Sequence, residues 1–266
     1  MNEIIDTLGE VRPSLFSQLD LSKAYWQVFL DDESKEKTAF SVGGKTYQYR
    51  RLTMGLCGAA QHFQRILTET LREMLFVNAI VYLDDVLILS RNFEDHLKHL
   101  HFVFTKFRDA TLRLNPKKCT FCVDKVKYLG NILSHDGFAP DPSKVNIIMD
   151  WPTPKTAKQV KSLLGICNFN RRYIMGYSQH SAALRMLLPK DVKFRWEEAE
   201  KTAFQDLKQA LTTAPVFQFP DTTKQFVLTT DASLHGLSWV LGQRDEDGRE
   251  YAVSFGGRGL RSNELR

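Results

Sequence analysis

The sequence predicts an α+β protein: an antiparallel sheet with helices, then a mostly helical segment, then a second, short sheet. Three observations predict this order. Short strand patterns and two amphipathic helix patterns alternate over the first 140 residues. Residues 156–211 have almost only helical signals, and strand patterns return after Pro220.

The first part of the chain alternates between the two kinds of pattern. In its helices apolar residues recur every three or four positions, as at Phe63, Ile66 and Leu67. Gly43-Gly44 is a hairpin turn signal. The predicted elements are strands at 15–21, 27–30 and 38–42, a helix at 59–76, a strand–turn–strand at 79–89, a helix at 94–110 and a strand at 126–133. We expect helices on one side of the sheet.

Proline residues mark the boundaries of the later segments. Four prolines surround Trp151, and Pro215 and Pro220 follow the helical segment. A strand is predicted at 226–230, with neighbours at 239–241 and 251–253 and a turn at 245–248. We therefore divide the chain into residues 1–142, 143–212 and 213–266.

Composition excludes several classes of protein. The 266 residues are 43% hydrophobic and 25% charged, which is typical of globular proteins and not of disordered chains. The longest apolar run, Ala79–Leu89, is interrupted by two acids and is far shorter than the roughly 20 residues of a membrane helix. The N-terminus has acids where a secretory signal is basic. We expect an intracellular protein without membrane contact; cytoplasm and nucleus are not distinguished.

The basic residues and the cysteines each allow two interpretations. The net charge is only +5, but Lys106–Lys127 contains seven bases and two acids. This stretch fits either a solvated helix face and turn or a surface that follows a phosphate backbone. Cys119 and Cys122 have the spacing of a zinc site, but no second ligand pair follows at a matching interval. We prefer reduced, mostly buried thiols.

The clearest chemical signal is the pair Asp84-Asp85 between two apolar runs. Adjacent side chains on a regular strand point to opposite faces, but at the tip of a hairpin both can reach one site. Two carboxylates held together repel, and Mg²⁺ or Mn²⁺, which prefer oxygen ligands, would relieve that repulsion. The alternative is an inert, Asp-rich turn. The apolar residues on both sides favour the metal site.

Asp20 is the candidate third ligand. It closes the first predicted strand and precedes the short turn Ser22-Lys23-Ala24, whose backbone N–H groups could hold phosphate oxygens. Taken alone, Asp20 also fits an acid that caps the next turn. One acid after a strand and two in a hairpin are together what a two-metal phosphoryl-transfer site requires.

Several motifs occur in a fixed order along nearly the whole chain. They are Phe16–Tyr25, Leu52–Cys57, Tyr82–Asp85, Asn115–Cys119, Tyr128–Gly130, Trp151–Pro154, Phe169–Ile174, Ala203–Lys208 and Thr230–Ser233. In this order they resemble the reverse transcriptase region of gypsy-type (LTR) retrotransposon Pol polyproteins. The third motif resembles the polymerase metal hairpin, and the last resembles the opening strand of the attached ribonuclease H domain.

The resemblance implies a reverse transcriptase palm with partial fingers at 1–142, a thumb at 143–212 and a truncated ribonuclease H-like domain at 213–266. It implies that Asp20, Asp84 and Asp85 hold two Mg²⁺ or Mn²⁺ ions. The implied activity is RNA-directed DNA polymerisation, by two-metal nucleotidyl transfer to a primer 3′-hydroxyl. The implied substrates are a primed RNA or DNA template and deoxynucleoside triphosphates, and the remainder of a Pol polyprotein is a further expected partner.

The resemblance also implies roles for residues around the acids. Tyr25 would lie under the deoxyribose, Met54 and Gly55 would line the nucleotide pocket, and Lys117 would lie near the nucleotide phosphates. The segment formed by Tyr128, Leu129 and Gly130 would hold the primer end. Each has a structural alternative: Tyr25 as a core aromatic, Met54 as a gap filler and Lys117 as part of a solvated turn.

The sequence departs from the family pattern at both ends. The family has a longer N-terminal region that supplies most of the fingers. The ribonuclease H-like segment has Asp231 but lacks the family's remaining acids, so we expect no ribonuclease H activity from this chain. The usual Gly-Ala is Ser238-Trp239 here, and the usual Ala-Ser is Gly256-Gly257. Trp239 is bulky for a closely packed strand, and we expect an open sheet with an unpaired edge and an uncovered apolar face.

Two other functions stay open beside the polymerase. The chain could be a partial or decayed retroelement copy that binds nucleic acid without polymerising. It could also be a metal-dependent nuclease that uses the same carboxylates, although the ordered thumb and primer-end motifs argue against this.

Overall fold

The computed structural model describes residues 2–234, 236–260 and 264. The chain forms two compact units, residues 1–126 and 127–266. Across the described residues, no helix combines the length and the apolar character that crossing a membrane requires. The division into three parts at residues 142 and 212 stays a prediction.

The first unit is built around a four-stranded sheet in the order β4-β5-β1-β6, where β1 pairs antiparallel with both β5 and β6. A separate β2–β3 hairpin turns at Gly43 and Gly44, both with positive φ. The strands are β1 (Leu15–Asp20), β2 (Phe40–Val42), β3 (Lys45–Tyr47), β4 (Ala79–Tyr82), β5 (Asp85–Ser90) and β6 (Thr120–Val123). The helices are α1 (Asn2–Val11), α2 (Asp32–Glu36), α3 (Ala59–Thr70) and α4 (Phe93–Asp109).

Helices α3 and α4 cover one part of this sheet. Phe63 of α3 and Val103 of α4 are buried in one cluster with Leu19 of β1 and Val86 of β5. Each such buried side chain stabilises the fold by about 2 kcal/mol. Leu19 directly precedes Asp20, and Val86 directly follows Asp85. The cluster therefore fixes the end of the sheet at which the acids lie.

Two predicted elements of this unit differ from the structure. The predicted strand at 27–30 is reduced to an isolated antiparallel bridge between Phe29 and Arg51, because a 3-10 turn, Ala24–Gln27, occupies its first residue. The predicted helix at 59–76 ends at Thr70. The helix ends because Leu71 leaves the helical range, with a φ of −105° and a ψ of 14°. Phe76, which has a φ of 57° and donates its N–H to the Ala79 carbonyl, then turns the chain into β4.

The second unit begins within β7 and contains two three-stranded sheets, β7-β8-β9 and β10-β11-β12, with helices between them in sequence. The predicted strand at 126–133 is two strands, because Leu129 and Gly130 both have positive φ and form a turn. The strands are β7 (Lys125–Tyr128), β8 (Asn131–Ser134), β9 (Gly137–Pro140), β10 (Phe226–Ser233), β11 (Gly236–Arg244) and β12 (Glu250–Gly259). The helices are α5 (Pro142–Met149), α6 (Ala157–Phe169), α7 (Tyr177–His180), α8 (Ala182–Arg185) and α9 (Glu198–Thr212).

The helical core of this unit is the one that the apolar spacing predicts. Val160 and Leu163 of α6 pack in one buried cluster with Phe204 and Leu207 of α9. Helix α9 begins with a capping box, in which the Glu197 side chain and the side chain of the third helical residue exchange hydrogen bonds with backbone N–H groups. The prediction of a helical segment before the last sheet is confirmed.

The last sheet shows how the bulky Trp239 fits into a closely packed strand. Trp239 on β11 is the direct cross-strand partner of Gly256 on β12, and Ser238 is the partner of Gly257. A Cβ atom on Gly256 would lie 2.2 Å from two atoms of the Trp239 ring. The two departures from the family pattern are therefore complementary, because the glycine leaves the space that the tryptophan fills.

The expectation of an open sheet is partly right. Strand β10 is an edge strand with exposed apolar residues, and Leu228 is 61% exposed. The apolar face is not fully uncovered, however, because α7 packs against β11 and β12. The Ser178 hydroxyl of α7 donates to the Leu237 carbonyl over 3.1 Å, and Val253 of β12 is buried.

Candidate catalytic site

The register of the first sheet places two of the predicted acids side by side. Asp20 is the last residue of β1 and is the direct antiparallel partner of Asp85, the first residue of β5. Directly opposed residues lie on the same face of a sheet with their Cβ atoms about 5 Å apart. Tyr82 is the partner of Asp85 on the other side, so one row of side chains crosses three strands.

The third acid lies in the two-residue turn between β4 and β5. This turn consists of Leu83 and Asp84, and Leu83 has a φ of 56°. A side chain in this left-handed region costs about 1 kcal/mol, so the turn needs support from its surroundings. The side-chain carbonyl of Gln64 accepts a hydrogen bond from the Leu83 N–H. The hairpin is thus attached to helix α3.

Negative charge accumulates at the end of the sheet. Burial raises the pKa of Asp85, and the neighbouring charges of Asp84 and Asp20 raise this pKa further. A hydrogen bond with Gln18 and the positive charge of Lys118 act in the opposite direction. The ammonium of Lys118 lies 3.7 Å from a carboxyl oxygen of Asp20, but its side chain is 66% exposed. Solvent screens such a pair, so the repulsion between the carboxylates is only partly balanced.

The donor atoms at this site fit a divalent cation. Carboxylate oxygens are hard ligands of the kind that Mg²⁺ and Mn²⁺ prefer. The pKa of Asp85 is raised first by burial and then by the charges of Asp84 and Asp20, and a cation would relieve this repulsion. Within residues 2–234, 236–260 and 264, no three His, Cys, Asp or Glu side chains form a group that could hold a metal ion. The structure contains the Asp20–Asp85 pair with Asp84 next in the chain, and metal binding by all three stays a prediction.

The backbone of Asp20 is anchored by the segment Asn115–Cys119. Asn115 donates its N–H to the Asp20 carbonyl over 2.8 Å, and the Asp20 N–H donates to the Cys119 sulfur over 3.4 Å. Cys119 therefore contacts the candidate catalytic strand. In the same segment Lys118, not Lys117, approaches the Asp20 carboxylate, and Lys117 is exposed.

The predicted nucleotide-pocket residues differ in how firmly they are held. Tyr25 is partly buried in the 3-10 turn after Asp20, and its ring meets the Phe63 ring edge to face at 5.7 Å. Met54 is 67% exposed on a loop, and Gly55 beside it has a φ of 91° with open space at its Cβ position. Of these, only Tyr25 is fixed by contact with the buried core.

The remaining predicted residues belong to the second unit. Tyr128 is buried at the end of β7, and the Leu129–Gly130 turn follows it. The Asn131 amide donates to the Leu129 carbonyl over 3.1 Å, and the Tyr173 hydroxyl donates to the Asn131 side-chain oxygen over 2.6 Å. These two hydrogen bonds support the predicted primer-end turn. Asp231 lies exposed on the edge strand β10.

Sequence reasoning missed two glutamines at the site. Gln18 lies two residues before Asp20 on β1, so it shares a face with Asp20, and the alternation of strand side chains could have indicated it. Gln64 contacts the hairpin from α3, and no local sequence signal predicts a contact between residues 19 positions apart.

Comparison with known families shows which proteins the chain is similar to. Residues 7–133 match the family of reverse transcriptases (RNA-dependent DNA polymerases). Residues 196–266 match the RNase H-like domain found in reverse transcriptase. The chain belongs to the reverse transcriptase family.

Its relatives are retrotransposon proteins. The chain is 37% identical to the retrovirus-related Pol polyprotein from transposon 297 of Drosophila melanogaster, over all of this chain and 24% of that protein. It is 36% identical to the Pol polyprotein from transposon gypsy of the same species, over 90% of this chain and 24% of that protein. It is 32% identical to the Tf2-3 polyprotein of Schizosaccharomyces pombe, over 91% of this chain and 18% of that protein. The chain thus spans about a quarter of the length of the curated relatives that it matches.

Solved structures confirm the fold class. A foamy viral protease-reverse transcriptase in complex with RNA/DNA hybrid matches with a TM-score of 0.85 at 23% identity, over all of this chain and 36% of that chain. The same protein in complex with dsDNA matches with a TM-score of 0.85 at 22% identity, over 98% of this chain and 55% of that chain. At this level of identity the likeness establishes the α+β fold and not the activity.

Proposed function

We propose that this chain is the polymerase part of a retroelement RNA-directed DNA polymerase. It would add deoxynucleotides to the 3′-hydroxyl of a primer on an RNA or DNA template. The observation that carries this proposal is the cross-strand pairing of Asp20 with Asp85, with Asp84 in the adjoining turn. The foamy viral enzymes solved with RNA/DNA hybrid and with dsDNA support a primed template as the ligand.

The carboxylates would hold Mg²⁺ or Mn²⁺ at the end of the sheet. When bound, two such ions supply activation of the primer 3′-hydroxyl and stabilisation of the pyrophosphate leaving group. The protein contributes by holding the carboxylates in place. Asp20 and Asp85 lie on one face of the sheet, and the residues next to them in the chain, Leu19 and Val86, are fully buried. Side chains fixed in this way need little reorganisation during the reaction.

The residues around the acids would recognise the substrates. Tyr25, held against Phe63, would form a rigid boundary under the deoxyribose and exclude a 2′-hydroxyl by its bulk. Met54 and Gly55 would line the nucleotide pocket, and the exposed Lys117 would approach the nucleotide phosphates. In the second unit, Tyr128, Leu129 and Gly130 would hold the primer end.

Primer extension on an RNA template tests the proposal. The wild-type chain should extend the primer with Mg²⁺ or Mn²⁺ and should stop when a chelator is added. Asp85→Asn keeps the side-chain shape but removes the charge that the cation needs, so extension should fall at least about 100-fold. Asp247→Asn changes an exposed acid in the β11–β12 turn and should extend like the wild type.

A different result would support the alternative function. If the chain binds primer-template but extends it with neither metal ion, the polymerase proposal fails and a nucleic-acid-binding retroelement copy is supported. Cleavage of labelled RNA in a hybrid should stay at background, because the ribonuclease H-like segment of this chain has Asp231 but not the family's remaining acids. Metal-dependent cleavage would contradict that expectation.

A further inference from the structure

The side chain of Gln64 makes hydrogen bonds to two backbone groups of the hairpin formed by β4 and β5. Its amide nitrogen donates to the Val81 carbonyl over 3.2 Å and lies 3.4 Å from the Thr68 hydroxyl. Its amide oxygen accepts from the Leu83 N–H. One side chain on α3 thus contacts two alternate backbone positions immediately before Asp84.

The two hydrogen bonds from Gln64 are like those that a neighbouring β-strand would make with β4. Strand β4 is at the edge of its sheet, with β5 on its other side. Along a strand, the carbonyl of one residue and the N–H of the second residue after it point to the same side, where a further strand would pair with both. At Val81 and Leu83 no strand pairs, and the Gln64 amide takes its place. Glutamine fits because its amide offers one donor and one acceptor together.

The contact with Gln64 supports a turn whose backbone conformation is unfavourable. Leu83 has a φ of 56° and no glycine flexibility, and it is followed directly by Asp84 and Asp85. Without a partner at its N–H, this turn could relax toward other backbone conformations and would carry both acids with it. The carboxylates of Asp20 and Asp85 would then lose their common face.

We propose that Gln64 is a positioning residue of the polymerase site, which holds the turn so that Asp84 and Asp85 stand where the cation and the primer end require them. This inference rests on the proposed function. Gln64 acts through the backbone of the hairpin and not through the substrate. Attachment of α3 to the core does not depend on it, because Phe63 and Leu67 are fully buried while Gln64 is only partly buried.

The test compares primer extension by the wild type, Gln64→Met and Gln64→Glu, with Gln61→Met as the control. Gln61 is exposed on the same helix, so the control makes the same change away from the hairpin. We expect kcat to fall about 10- to 100-fold in Gln64→Met, because small displacements of catalytic groups have effects of this size. The Kd for primer-template should stay within about twofold of the wild type, since the turn positions acids and not the nucleic acid.

Gln64→Glu adds a readout that a merely structural role would not give. At neutral pH its carboxylate would repel the Val81 carbonyl, so extension should be as poor as in Gln64→Met. When protonated, the carboxyl again offers one donor and one acceptor. The ratio of its rate to the wild-type rate should therefore rise as the pH is lowered from about 8 to about 6, because repulsion by the carbonyl raises the pKa of the new carboxyl.

The outcomes separate the two proposals. A wild-type chain that does not extend the primer defeats the proposed function and this inference with it. An active wild type with unchanged kcat in Gln64→Met overturns the role of Gln64 alone. A loss of kcat that is the same in Gln61→Met, or a Gln64→Glu ratio that does not change with pH, would also overturn it.

Discussion

His96 on α4 is a titratable residue whose protonation is controlled by the fold. It is fully buried, with one ring nitrogen 2.7 Å from the Ser17 hydroxyl of β1 and the other 2.8 Å from the Ser90 hydroxyl of β5. His99 also reaches the Ser90 hydroxyl at 2.8 Å. Burial lowers the pKa of His96, and the nearby His99 lowers it further. The native state therefore keeps this ring neutral.

We predict that His96 makes stability depend on pH. An unfolded histidine takes up a proton near pH 6.5, while the native ring resists it until a lower pH. The free energy of unfolding should therefore be fully retained above about pH 6.5 and should decrease as the pH falls below that value. Urea unfolding at about pH 7.5 and pH 5.5 measures this change. His96→Gln should lose less stability on acidification, and an equal loss in both proteins would contradict the assignment.

At the residue scale, the sequence predicted that Asp20, Asp84 and Asp85 lie at the ends of strands but not how they are paired. Asp20 and Asp84-Asp85 are recognisable because each follows or interrupts an apolar strand pattern. Their pairing depends on the register between two strands about 65 residues apart, which no local pattern determines. The position of Lys118 beside Asp20 has a similar origin, since the direction of a side chain in a turn depends on the tertiary contacts of that turn.

Among the elements, the β11–β12 pair shows how a substitution in one strand can be balanced in its neighbour. Trp239 is 38% exposed and lies over Gly256, where a Cβ atom would be 2.2 Å from the indole. Gly256 does not have a positive φ, so its backbone would accept alanine without strain. The atoms nearest to the extra methyl group would all belong to the tryptophan ring.

We predict strong coupling between these two positions. Gly256→Ala should destabilise the chain by about 1–3 kcal/mol, because the added methyl group forces the ring or the backbone to move. In the Trp239→Ala background the same change should be neutral or stabilising, since alanine lowers the entropy of the unfolded chain. A double-mutant cycle from urea unfolding measures the difference. Additive effects of the two changes would contradict the packing described here.

The accuracy of the element predictions depended on local signals. Helix α4 was predicted within one residue at each end, because its apolar periodicity is flanked by Asn92, whose side chain caps the first turn. The strand at 126–133 was predicted as continuous because nothing in its apolar pattern reveals the positive φ of Leu129. Helix α3 was predicted too long for a similar reason, since the apolar spacing continues through Leu71 and Leu75 although the backbone of Leu71 already leaves the helical range.

Over the whole molecule, ion pairs reduce the number of basic groups that are available for nucleic acid. In the stretch Lys106–Lys127, Lys106 pairs with Glu73 and Lys118 with Asp20. Lys117 and Lys125 are exposed and form no ion pair with any residue that the structure describes. These two lysines and the exposed Arg113, which also forms no ion pair with a described residue, are therefore the candidates of this stretch for contacts with phosphates.

We predict that primer-template affinity falls steeply with salt and that these lysines account for part of the slope. Each phosphate contact contributes about 0.9 to the slope of log K against log salt. Replacing both Lys117 and Lys125 by Gln should lower that slope by about 2, and fluorescence titrations at several salt concentrations measure it. Lys98→Gln, which removes a lysine paired with Asp95, should leave the slope unchanged. A salt-independent affinity would contradict the nucleic-acid interface.

The most direct test of the account is Mn²⁺ binding by the chain on a primer-template, measured by electron paramagnetic resonance. The central claim is that Asp20 and Asp85, paired by the strand register, bind a divalent cation together with Asp84. The account predicts that the wild type binds Mn²⁺ in a class of sites that Asp20→Asn and Asp85→Asn each lose, and that Asp247→Asn retains. Equal Mn²⁺ binding by the wild type and Asp85→Asn would contradict it.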